Sequence, residues 1–125
     1  MVKSIADLVR EAEAGIETVT VEEASTLHGQ DGVVFLDVRE PQEVERGRIP
    51  GALPVPRGLL EFAADPTSRS HRPELAGARR MVVYCGSGAR SALAARTLKE
   101  MGIAVAANLK GGFSAWKDAG GEVES

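Results

Sequence analysis

Two short unbroken apolar runs, Val33-Val34-Phe35-Leu36 and Met81-Val82-Val83-Tyr84, constrain the fold of this chain more than any other feature. A strand with one face in water alternates apolar and polar residues, so a run without alternation has to be covered on both faces. A parallel sheet between two layers of helices does this, and the intervening segments supply the helices. Ile5, Leu8, Val9 and Ala12 recur at i, i+3, i+4 and i+7 behind a Ser4/Asp7 capping box, with Gly15 as a stop. A short strand over Thr18 to Thr20 leads into a second capping box, Thr20 with Glu23, and a helix ending near Gly29. The run at Val33 ends at Asp37, and Pro41 suits the first position of a short helix that stops at Gly47. Ile49 to Ala52 reads as a turn. Leu53 to Val55, fenced by Pro54 and Pro56, reads as an edge strand.

The stretch from Arg57 to Arg80 is the least regular, with a helical turn predicted at Leu59 to Ala63, and reads as a surface excursion. After the Met81 run comes a loop, and from Ser91 a helix with Ala94, Leu98 and Met101 on one face and Gly102 as its stop. A last strand at Val105 to Leu109 and a last helix at Phe113 to Ala119 complete the alternation. The expected fold class is α/β, a three-layer arrangement with a mostly parallel five-stranded sheet, right-handed crossovers and helices on both faces. The 125 residues suit one domain, with residues 1–15 an extra N-terminal helix and 16–122 the core.

Fifteen Lys and Arg are scattered among 18 Asp and Glu, for a formal charge of −3 and no basic stripe, which argues against nucleic acid as a partner. The acid at position 7 interrupts any apolar leader, and no run approaches a membrane span, so the chain reads as soluble and cytoplasmic, with no membrane partner. His28 and His71 have no partner at metal-ligand spacing, and a single cysteine supplies neither an internal disulfide nor a thiolate cluster, so no metal is expected.

That cysteine, Cys85, follows the Met81 run directly and stands just ahead of a helix start. In open parallel sheets ligands collect outside the carboxyl ends of the strands. A thiolate is stabilised by backbone N–H groups, by a helix N-terminus and by an arginine, and Cys85-Gly86-Ser87-Gly88-Ala89-Arg90-Ser91 offers all three. Gly86 and Gly88 permit the positive φ that turns successive N–H groups inward as an anion nest. A lone cysteine is more often an inert buried side chain. Here the strand end, glycines, arginine and helix start together favour a nucleophile.

The same loop resembles the active-site loop of rhodanese-like domains, which cradles a cysteine persulfide. Two further stretches agree: Leu36-Asp37-Val38-Arg39-Glu40-Pro41 with Gly47-Arg48-Ile49-Pro50-Gly51-Ala52, and Gly111-Gly112-Phe113-Ser114-Ala115-Trp116. The resemblance runs from about Thr18 to Glu122. It implies a sulfurtransferase in which Cys85 takes sulfane sulfur from thiosulfate or a similar small anionic donor. The sulfur then passes to cyanide, to an external thiol or to an acceptor protein, with no cofactor. Gly86, Ser87, Gly88, Ala89 and Arg90 would bind the substrate. Asp37, Arg39, Arg48 and Ser91 would support the site, Asp37 and Arg39 as a structural ion pair, Ser91 as a hydroxyl donor or only a helix-start residue. Arg90 would bind the thiosulfate dianion, or hold the loop by pairing with a carboxylate. Arg48 stands where the family usually has histidine, and adds positive charge there. The arginines of residues 57–80 would form either a rim for the acceptor or a solvated loop.

Two other functions compete. Cysteine phosphatases and arsenate reductases also place a thiolate under an arginine at a helix N-terminus, but with five residues between the two, whereas four separate Cys85 from Arg90. A shorter loop suits one sulfur atom better than a phosphoryl group. The other competitor is a non-catalytic binding or regulatory module of the same fold, against which the retained Cys85 speaks.

Overall fold

The computed structural model describes residues 1–125. Five strands, β1 (Glu17–Val19), β2 (Val33–Asp37), β3 (Leu53–Pro54), β4 (Arg80–Tyr84) and β5 (Ala106–Leu109), form one sheet in the order β1-β5-β4-β2-β3, every pairing parallel. The two unbroken apolar runs are thus neighbours near the middle, β2 and β4, with Asp37 opposite Tyr84 at their carboxyl ends. β3 is an edge strand, as its prolines require.

Seven α-helices cover the sheet: α1 (Ile5–Gly15), α2 (Val21–Leu27), α3 (Pro41–Glu45), α4 (Leu60–Ala64), α5 (Glu74–Gly77), α6 (Ala89–Glu100) and α7 (Gly112–Asp118). Period-two alternation along β4 divides the core in two. Met81, Val83 and Cys85 face a cluster with Leu60, Leu75, Ala94 and Leu98, from α4, α5 and α6. Val82 and Tyr84 face the other way, toward Ala24, Phe35, Phe113 and Trp116 under α2 and α7. Alanines at 92, 94 and 95 let α6 lie close on the central strands.

Several local expectations are corrected. Residues 57–80 are no mere surface excursion: a 3-10 turn (Arg57–Leu59), α4 and α5 carry Leu60, Ala63, Ala64 and Leu75 into the core, forming the crossover that covers one face. Helix α6 begins at Ala89, two residues before Ser91, because Gly88 at φ 109° turns the chain directly into it. Met101 is 39% exposed, since it sits at the helix end beyond the sheet. Ile5 is likewise exposed, because α1 packs on α6 as an outer layer and buries fully only Ala12.

Candidate active site

Cys85 leaves the end of β4 with 1% of its surface exposed. The next three residues bend back over it, and the Gly88 N–H donates to Sγ at 3.1 Å. Gly88 then opens α6, so the N–H groups of Ser87, Gly88 and Ser91 converge on the sulfur. Burial pushes the Cys85 thiol up, but the backbone N–H groups that converge on Sγ pull it down, and the thiol lies below its ordinary value. The loop therefore seats the Cys85 sulfur in an N–H nest at a helix start, where negative charge on it is stabilised.

Two neighbours hold the loop in place. From α7, the Phe113 N–H donates to the Cys85 carbonyl at 2.8 Å and the Ser114 N–H to the Gly86 carbonyl at 3.1 Å. The close approach requires glycine at 112, since a Cβ there would lie 2.5 Å from the Cys85 carbonyl oxygen. From β5, buried Asn108 donates its amide N–H to the Gly88 carbonyl at 3.2 Å and takes the Ser91 hydroxyl on Oδ1 at 2.6 Å. Sequence reasoning overlooked Asn108. Its signal was a lone polar residue inside the apolar run of the last strand.

Arg90 stands in the first turn of α6 and makes a two-pronged ion pair with Glu43 of α3, at 2.7 and 3.0 Å. The Arg90 guanidinium holds the Glu43 carboxyl down to about 2, helped by an N–H from Glu40. Of the two roles expected for Arg90, the structure displays the carboxylate pair. Its charge still reaches the sulfur, because the Cys85 thiolate and the Arg90 guanidinium stabilise each other.

Asp37 and Arg39 pair with each other on the far side of the sheet. Arg39 donates through Nε and Nη2 to the two Asp37 oxygens at 2.9 and 2.7 Å, and to the Gly47 carbonyl at 2.8 Å. Its guanidinium also lies 4.4 Å from the Phe113 ring centre. Burial resists this charge, but Asp37 raises the Arg39 pKa regardless. Tyr84 is pushed up by burial and by the Asp37 carboxylate, so it stays a neutral phenol and accepts the Ile49 N–H. This network organises the Asp37–Gly47 segment from which Glu43 reaches Arg90.

Arg48 does not join the loop. Its side chain pairs with Glu124 at 3.2 Å, and its backbone exchanges two hydrogen bonds with Glu124, so it fastens the C-terminal tail. The loop arginines disperse as well: Arg57 binds Glu61 and Thr97, Arg72 binds Glu74, and Arg80 binds Glu17.

A rhodanese-like domain model matches residues 20–119. The chain belongs to the rhodanese-like domain family. Among relatives of this domain, a protein of Allochromatium vinosum named sulfurtransferase is 38% identical over 72% of this chain and 77% of its own length. The human thiosulfate:glutathione sulfurtransferase is 30% identical over 82% of this chain and 95% of its own length. A solved structure from Rhodopseudomonas palustris, described as a protein of unknown function and possible tyrosine phosphatase, superposes with a TM-score of 0.94. It is 44% identical and covers 99% of this chain and 96% of its own. The three-layer rhodanese fold and its kinship with sulfurtransferases are thus established. No helix is long and apolar enough to cross a membrane.

Proposed function

We propose that this rhodanese-like domain transfers sulfane sulfur, carrying it as a persulfide on Cys85. The carrying observation is the Cys85 Sγ seated under the Gly88 N–H at the start of α6. The thiolate attacks the sulfane sulfur of thiosulfate. An S–S bond forms to Cys85 as the donor S–S bond breaks, and sulfite leaves with the electron pair. The negative charge then resides on the outer sulfur, where the N–H groups of the loop favour it. Cyanide or a thiolate attacks that outer sulfur, and Cys85 departs as the thiolate. Because Cys85 is 1% exposed, the acceptor meets the outer sulfur and not Sγ. With no second cysteine in the sequence, the acceptor thiol, small or carried by a protein, comes from outside.

The description of the Rhodopseudomonas palustris structure as a possible tyrosine phosphatase motivates a second reading. Against it stand the four-residue gap from Cys85 to Arg90 and the pairing of Arg90 with Glu43. A phosphatase needs a carboxylic acid free to protonate the leaving group, and Glu43, held down to about 2, is a poor proton donor. The test assays the protein side by side with thiosulfate plus cyanide and with an aryl phosphate. Thiocyanate formation without phosphate release is expected. Phosphate release without thiocyanate would establish the second reading, and inertness toward both would leave a binding module.

A further inference from the structure

Ser91 Oγ lies 3.4 Å from Cys85 Sγ and 2.6 Å from Asn108 Oδ1, all three groups being buried. A hydroxyl has one proton to give. Which neighbour receives it is decided by the orientation of the Asn108 amide, and that orientation follows from the Gly88 carbonyl 3.2 Å away, which accepts only from the NH2 side. Oδ1 therefore faces Ser91. No other donor reaches that oxygen, so turning the Ser91 proton toward Sγ would leave a buried acceptor unpaired, a penalty of about tenfold or more in equilibrium.

We infer that Asn108 is a positioning residue that commits the Ser91 proton to itself and makes Ser91 a hydrogen-bond acceptor for the Cys85 thiol. The Cys85 S–H then donates to Ser91 Oγ, and the bare thiolate is held by the backbone N–H groups alone. A persulfide asks nothing of Ser91, because its Sγ carries no proton and its charge lies on the outer sulfur. The arrangement accordingly favours the resting thiol and the sulfur-loaded cysteine over the thiolate between them. This consequence rests on the persulfide reading, but the proton arrangement does not. The charged groups on the loop side are Arg90 and, behind it, Glu43 of α3 and Glu40, the residue that caps α3. Asp37 and Arg39 pair on the other face of the sheet. Ser91 and Asn108 carry no charge themselves.

The pH profile of Cys85 alkylation by iodoacetamide tests the inference without any sulfur donor, so its failure is distinct from failure of the persulfide assignment. Ser91→Ala removes an acceptor of the thiol, and the midpoint should stay or fall. If Ser91 donated to the thiolate, the same substitution would raise the midpoint by about one unit, a tenfold loss of thiolate below it, and the inference would be wrong. Asn108→Leu frees the Ser91 proton for Sγ without orphaning the Gly88 carbonyl, which keeps the Ala92 N–H at 3.1 Å. Alkylation below the midpoint should then rise about fivefold to tenfold, and the rise should vanish when Ser91→Ala is added. An unchanged profile for Asn108→Leu, in a protein whose circular dichroism remains native, would also overturn it. Should Asn108→Leu fail to fold, Ser91→Ala decides alone.

Discussion

Replacing Gly112 by alanine places a methyl group against the backbone of the Cys85 loop, 2.5 Å from the Cys85 carbonyl oxygen and 2.8 Å from the Gly86 carbonyl carbon and oxygen. None of these atoms is the far end of a flexible side chain, so the loop or the start of α7 has to move. The backbone at φ 61° adds the left-handed penalty, about 1–2 kcal/mol for a residue with a Cβ. Overpacking adds roughly 1–3 kcal/mol, for a total loss of about 2–5 kcal/mol. Relief requires a shift on the order of 1 Å at the residue that carries Sγ, and such a misplacement costs about a hundredfold in rate. Gly102→Ala is the matched control: φ is 97° there, but nothing lies within 4 Å of the added carbon, so the strain comes without the clash. Thermal melts and single-turnover sulfur loading, followed by intact mass, should show Gly112→Ala losing both stability and rate. Gly102→Ala should lose stability alone. Equal loading rates for Gly112→Ala and the parent would refute the claim that α7 positions the cysteine.

Glu43 contributes stability through its depressed carboxyl, present above the ordinary carboxylate value near 4.5 and lost as pH falls toward about 2. The melting temperature of the parent should therefore exceed that of Glu43→Gln most at neutral pH, with the gap closing between about pH 4.5 and pH 2, and a gap independent of pH would contradict the ion pair. At the tail, Arg48→Ala removes one half-exposed pair and should lower the melting temperature by only about 2–4 °C. Glu124→Ala should cost more, because Glu124 also accepts the Gly51 N–H at 2.7 Å, and melts in the reverse order would contradict this account of Arg48.

Much of this architecture is legible in the sequence because burial on both faces leaves its mark: Val33 to Leu36 and Met81 to Tyr84 could be neither surface strands nor amphipathic helices. The loop after Cys85 was readable in part: Gly88 takes the expected positive φ, at 109°, whereas Gly86 does not, so the turn over the sulfur rests on one glycine and not two. Short helices carry too few turns for a period, which is why α5 and the covering role of residues 57–80 were not foreseen. Helix α6 hid its first turn because a left-handed glycine, and not a capping side chain, opens it. Long-range polar pairs leave no local trace. Arg48 finds Glu124 across 76 residues and Arg90 finds Glu43 across 47, and neither partner can be named from spacing. Asn108 stood in plain view as a polar residue in an apolar strand, yet only the fold brings it to Ser91 and Gly88.

Intact mass after thiosulfate treatment and removal of the excess tests the central claim most directly. The parent protein should gain the mass of one sulfur atom, lose it on adding cyanide, and lose the ability to gain it in Cys85→Ser, whose hydroxyl is far too weakly acidic to replace the thiolate. No gain in the folded parent, or a gain that survives Cys85→Ser, would contradict the assignment of sulfur transfer to Cys85.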